Sequence, residues 1–182
     1  MPERGEPEVE PLDEAVDHVR GPAGGHVILE YGDYECPYSR RAYREIQRVE
    51  RELGGNLRFA FRHFPLTEIH PHALALAAEA AARQGRYWEM HEVLYRRQKA
   101  LGDSDLREYA SELGVELARF DADFEGEAVL ERIRRDVSSG IASGEVMGTP
   151  TLFVDGAVHR GGYDAAALLS ALARVREPTV KR

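Results

Sequence analysis

Two strand-like runs flank one helix-patterned stretch near the start of this chain, and that order leaves few folds open. His26-Val27-Ile28-Leu29-Glu30-Tyr31 is short and mostly apolar, as a buried strand is. From Pro37 to Leu53 the apolar residues Tyr43, Ile46, Val49 and Leu53 share one helical stripe, and Gly54-Gly55 ends it. Proline suits a first helical position, where its missing N–H would be unpaired anyway. Asn56 to Phe64 then alternates, with Leu57, Phe59 and Phe61 on one side and Arg58, Ala60 and Arg62 on the other, before Pro65. Strand, helix and strand in this order predict a right-handed βαβ crossover.

The rest of the chain reads as helices followed by a hairpin. Helical patterns run over Ala73 to Gln84, Tyr87 to Lys99, Leu106 to Leu113, Leu117 to Phe124 and Ala128 to Ser143. Asp103 or Ser104 is the expected cap of the third of these. Strand character returns at Thr151-Leu152-Phe153-Val154, and Asp155-Gly156 is a two-residue hairpin signal before a return strand from Ala157 to Arg160. Asp164 then caps a last helix with Leu168, Leu169 and Leu172 inward. At the other end, Leu12, Ala15, Val16 and Val19 recur at helical spacing, so a short helix is expected before Gly21-Pro22. The fold class is therefore α/β. Its expected parts are a polar tail with a short helix over residues 1–25, a βαβ half over 26–64, a helical insertion over 65–145, a ββα half over 146–176 and a tail over 177–182.

The sole cysteine narrows the function. Cys36 stands in Glu35-Cys36-Pro37-Tyr38-Ser39, after the first strand and at the start of a helix. A cysteine, two residues and a second thiol on a βαβ unit is a redox dithiol. Here the second position is Ser39, so no internal disulfide can close. A helix start favours the thiolate, because unpaired N–H groups of the first turn point at the sulfur. The Ser39 hydroxyl is expected to donate to that sulfur as well, though it cannot resolve a mixed disulfide.

Composition excludes several other classes. The net charge of −8 disfavours nucleic acid, and the 24 Lys and Arg are interleaved with acids as solvated faces are. No run approaches a membrane span, and no basic start with an apolar stretch marks a secretory signal. A cytoplasmic protein is expected. Seven histidines are present, His70 and His72 closest together with His63 near, but they lack the spacing of a zinc set, so no metal is expected. No phosphate loop or dinucleotide fingerprint occurs.

In combination, several motifs resemble one family. Tyr31-Gly32-Asp33-Tyr34-Glu35-Cys36-Pro37-Tyr38, Phe61-Arg62-His63-Phe64-Pro65-Leu66, His70-Pro71-His72-Ala73 and Gly148-Thr149-Pro150-Thr151 are similar to those of DsbA-type thioredoxin-fold oxidoreductases, from about Val27 to about Ala173. The resemblance implies a thioredoxin fold interrupted by a helical subdomain, Cys36 as nucleophile, and a cis Pro150 facing it, with the Thr149 backbone open to an extended substrate beside Pro37 and Tyr38. It also implies an acid under the site. Glu30, six residues before Cys36, is that candidate, either as a buried proton relay or as a strand-end glutamate in water. Asp33 and Glu35 read as solvated loop acids. Tyr38 either lines a peptide groove or packs, and Val146, Met147 and Phe64 either wall that groove or join the core.

Most members of the family carry cysteine where this chain has Ser39, which is either natural or an engineered replacement. The expected activity is thiol–disulfide exchange through one cysteine and mixed disulfides. Partners are then protein or peptide thiols and disulfides. No cofactor is needed beyond an external thiol such as glutathione. Two alternatives remain: an enzyme like the kappa-type glutathione transferases, which activate glutathione with a serine near this helix start, and a redox-inactive peptide-binding module.

Overall fold

The computed structural model describes residues 9–66 and 72–175. Its elements are β1 (His18–Arg20), β2 (His26–Gly32), α1 (Pro37–Glu52), β3 (Leu57–His63), α2 (Ala73–Ala82), α3 (Tyr87–Arg96), α4 (Asp103–Glu112), α5 (Leu117–Phe124), α6 (Glu127–Ser143), β4 (Thr151–Val154), β5 (Ala157–His159) and α7 (Ala165–Val175). The strands form one sheet in the order β1-β3-β2-β4-β5. β2 and β3 are parallel, joined by the α1 crossover, and the other pairs are antiparallel. Among the described residues, helices α2 to α6 interrupt the chain between β3 and β4.

Both faces of the sheet are covered, because its residues alternate between two cores. Ile28, Phe59, Phe61, Leu152 and Val154 join Tyr43 and Ile46 of α1 and Leu168 and Leu172 of α7 in the larger core, which continues into the helical insert. Leu29, Tyr31, Ala60 and Phe153 face the other way and meet Val9, Phe64 and Val146. The hairpin signal at Asp155-Gly156 has a conformational cause: φ is 46° and 88°, so both central residues are left-handed, as a primed two-residue turn requires.

The structure departs from the helical periodicity at three places that matter for the site. Residues 12–19 do not form a helix; they turn, and β1 follows, with His18 opposite Phe61 and Arg20 opposite Phe59. The open edge of β3 offers unpaired backbone groups, and pairing them outweighs a weak local helical pattern. The turn is held by Asp17, whose carboxylate accepts from the Asp13 N–H at 2.8 Å. Next, α3 ends at Arg96, so residues 97–99 form a turn rather than a last helical turn. Finally, α4 starts at Asp103 with Gly102 as its cap; Asp105 reaches back to accept from the Gly102 N–H at 2.9 Å.

Candidate active site

Cys36 is the N-cap of α1, with extended backbone at φ −76° and ψ 118° and Pro37 beginning the helix. Its own N–H donates to the Asp33 carbonyl at 3.0 Å, which closes the turn leading out of β2. The sulfur is half-buried. It accepts from the Ser39 N–H at 3.4 Å, and its S–H donates to the Thr149 carbonyl at 3.3 Å. The Thr149–Pro150 peptide is cis. Residues 113 positions apart in sequence thus meet at the sulfur.

Ser39 is fully buried, and its hydroxyl accepts from the Asp33 N–H at 3.3 Å. The expected hydroxyl-to-sulfur bond is therefore corrected: the donor to sulfur is the Ser39 main chain, while the hydroxyl braces the preceding turn. The reason is helical geometry, since a third-position N–H faces the cap atom, whereas the side chain at that position turns into the core. Asp33 is also not a solvated loop acid. It is buried, and its carboxylate accepts from the Glu35 N–H and the Leu66 N–H, both at 2.9 Å, tying the cysteine turn to the segment after β3.

Glu30 is fully buried on the larger-core face of β2, between Phe61 of β3 and Leu152 of β4. Neither carboxylate oxygen has a hydrogen-bond partner among the described residues. Loss of water raises its pKa well above the ordinary glutamate value, and negative charge at Cys36 pushes it the same way. Of the residues read as groove or core, Tyr38 is 61% exposed and Met147 88% exposed, whereas Phe64 and Val146 belong to the second core.

A family model described as a DSBA-like thioredoxin domain matches residues 27–173. This chain belongs to that family. The DSBA-like domain is 43% identical over 167 residues to a protein named Na(+)/H(+) antiporter NhaA 1 from Mycolicibacterium gilvum, a match covering 89% of this chain and 27% of that protein. It thus spans about a quarter of the length of the curated relatives it matches. Among solved structures, it is similar to a thioredoxin-like oxidoreductase from Silicibacter pomeroyi DSS-3, with TM-score 0.79, 28% identity and 90% and 94% of the two chains covered. BdbD from Bacillus subtilis, at 18% identity and TM-score 0.78 over 89% and 94% of the chains, shares the fold.

A cluster of histidines lies behind the cysteine turn of the DSBA-like domain. His70 and Pro71 fall outside the described residues, and His72, at φ 65°, caps α2 without a side-chain bond. The convergent set is instead His18, His63 and Glu79. The Nε2 atoms of His18 and His63 each lie 2.7 Å from the same Glu79 oxygen. Two imidazoles and a carboxylate are a set that zinc accepts. Here both rings are already engaged with Glu79, and Glu79 also attracts the Arg132 guanidinium. Burial favours a neutral Glu79, but the bonds from His18 and His63 overcome it and hold the carboxyl well below its usual range. Nearby, the Tyr34 hydroxyl bonds His91 Nδ1 at 2.8 Å, and burial lowers the His91 pKa well below that of a free imidazole.

Two features of the DSBA-like domain carried no signal in the sequence. Arg62, read as one of the solvated charges, is fully buried. Gln98, placed by periodicity inside a helix, sits in the turn after α3 and donates to the carbonyls of Tyr34 at 2.6 Å and Cys36 at 3.0 Å. Both assignments need knowledge of which distant segment comes near, and residue spacing does not contain it.

Proposed function

We propose that this DSBA-like domain exchanges protein disulfides through Cys36 alone. The observation that carries the reading is the sulfur's position: at a helix cap, under the Ser39 N–H and beside the Thr149 carbonyl, in a chain with no other cysteine. In the first step the Cys36 thiolate attacks one sulfur of a substrate disulfide. A Cys36–substrate disulfide forms, the old S–S bond breaks, and the second substrate sulfur leaves as a thiolate. Glu30 takes the proton from the Cys36 thiol beforehand, a role suited to a carboxylate whose pKa burial has raised. In the second step an external thiolate attacks the substrate sulfur and Cys36 leaves as a thiolate. That thiol is glutathione or a similar small molecule, or the second cysteine of the substrate, in which case the net result is isomerisation.

Substrate is bound as an extended peptide along the backbone at Thr149 and Pro150, beside Pro37 and Tyr38. No cofactor or metal enters either step. A cytoplasmic setting, where small thiols keep a lone cysteine reduced, suits this scheme.

The test is to incubate the purified chain with a disulfide-bonded peptide, quench with acid and weigh the products. A 1:1 mixed disulfide at Cys36, absent in Cys36→Ala and discharged by glutathione, is expected. Ser39→Cys should shorten its lifetime, because a resolving thiol is then in the chain. Absence of any adduct under conditions where a free cysteine peptide reacts would sink the proposal.

A further inference from the structure

We infer that Gln98 is a positioning residue for Cys36, through which the helical insert sets the geometry of the reactive turn. The inference rests on the proposed thiol chemistry and adds a residue to it. Gln98 Nε2 gives its two hydrogens to two carbonyls of one turn, those of Tyr34 and Cys36. Carbonyl oxygens only accept, so the amide must present its NH2 group there, and no rotation of the amide satisfies the pair otherwise. The Cys36 oxygen is also the first acceptor of α1, taking the Arg40 N–H at 3.1 Å. Helix start and insert therefore share one atom of the cysteine residue.

The platform that holds Gln98 is itself braced. Its neighbour Arg97 pairs with Glu112 of α4 at 2.9 Å and lies over the Tyr109 ring at 4.8 Å. The Tyr109 hydroxyl donates to the Ala100 carbonyl at 2.6 Å. Tyr34 is gripped by the insert a second time, through its hydroxyl to His91 of α3. The turn before the sulfur is thus hung from the insert by main chain and side chain together.

One consequence follows at the sulfur. The two bonds from Gln98 fix the start of α1, and with it the Ser39 N–H that faces the sulfur. Removing the amide releases that N–H from its place.

The experiment uses the full chain and a dipyridyl disulfide. Cys36 is the only thiol, so each attack forms one mixed disulfide and releases one thiopyridone, read by absorbance. Gln98→Ala should slow the reaction by on the order of tenfold, the loss expected for one or two bonds to a charge-bearing turn. Gln98→Glu keeps the size but sets a carboxylate against two carbonyls. At pH 8 it should be slower still, and its rate relative to the unaltered protein should recover as the pH falls and the new carboxyl takes up a proton. Gln98→Asn, shorter but still a donor, should lie between the unaltered protein and Gln98→Ala. Unfolding midpoints are measured for all three. Unchanged relative rates in the folded variants, whatever happens to the midpoints, would overturn the inference, because a merely structural role moves only stability. The ratio between variant and unaltered protein judges Gln98, whereas the absolute rate of the unaltered protein against an unstructured cysteine peptide judges the proposed function.

Discussion

Two buried carboxylates lie on opposite faces of the same sheet and are treated in opposite ways. On the second-core face, Asp17 is clamped by Arg62, whose Nε and Nη2 donate to its two oxygens at 3.0 and 2.8 Å. The remaining three N–H groups of Arg62 go to the carbonyls of Glu10 and Pro11 and to the Tyr31 hydroxyl. All five donors of a guanidinium are thereby used. On the other face, Glu30 is equally buried with neither oxygen bonded to a described residue. Burial on its own would raise Asp17, but bonds from Arg62 outweigh it and the pKa falls; nothing comparable acts on Glu30, and its pKa rises. Burial alone therefore does not set the direction in which a buried acid shifts. For these two acids the bonded partner does.

The sharpest way to break this contrast is to take the partner from Asp17. Arg62→Met should cost about 3–5 kcal/mol, because a charge is left buried without compensation. The urea midpoint at pH 7 reads it, and a loss below about 1 kcal/mol would deny that the pair is buried in solution. The double change Asp17→Leu with Arg62→Met should recover much of the loss, since an apolar pair of similar volume often replaces a buried ion pair without penalty.

Glu30→Met should act with the opposite sign. Its folded pKa lies above the ordinary 4.5, so the native state binds more protons than the unfolded one above that pH, and stability declines as pH rises toward the folded value. Removing the carboxyl should thus stabilise the protein by about 1–3 kcal/mol at pH 8, with little gain at pH 4, while slowing disulfide exchange. For Asp17 the sign reverses: its folded pKa lies below the ordinary 3.8, so its contribution is present above that pH and is lost as pH falls through the folded value. Plots of stability against pH for Arg62→Met and Glu30→Met should therefore part from the unaltered protein in opposite directions, the first lower and the second higher, with both gaps wide near pH 8 and narrowing in acid. Parallel curves would refute the contrast.

A smaller effect probes the space around the unpaired acid. A Cβ on Gly32 would sit 2.5 Å from Phe61 Cε2 and 2.9 Å from Glu30 Oε1. Gly32→Ala should cost about 1–3 kcal/mol by overpacking and displace Glu30; a neutral midpoint with unaltered exchange would show that the pocket yields. The smallest change is expected at the surface. Arg107 and Asp121 pair at 3.2 Å with about half of each side chain exposed. Arg107→Ala should cost no more than about 1 kcal/mol, fading with added salt.

Much of the architecture could be read in advance, because hydrophobic period reports which face of an element is buried. The stripe through Tyr43, Ile46 and Val49, the alternation of Leu57, Phe59 and Phe61, and the hairpin signal at Asp155-Gly156 each correspond to an observed element. The period failed where a pairing requirement overrode it, as at β1, where residues spaced like a helix instead complete the edge of β3. It was also blind to polar residues. Arg58 and Arg62 occupy the same side of one strand, yet Arg62 is fully buried and Arg58 pairs at the surface with Glu14.

From residue order alone came the α/β class, the helical insertion and the placement of a lone cysteine ahead of a proline at a helix start. These follow from short-range rules of period, capping and turn chemistry, which act within a few residues. Only the folded chain decided that Gln98 of the insert bonds the turn that carries Cys36, that Ser39 braces rather than touches the sulfur through its hydroxyl, and that Glu30 is left unpaired while Asp17 is not. Those outcomes depend on which remote groups are near enough to replace water, and that is a property of packing, not of spacing.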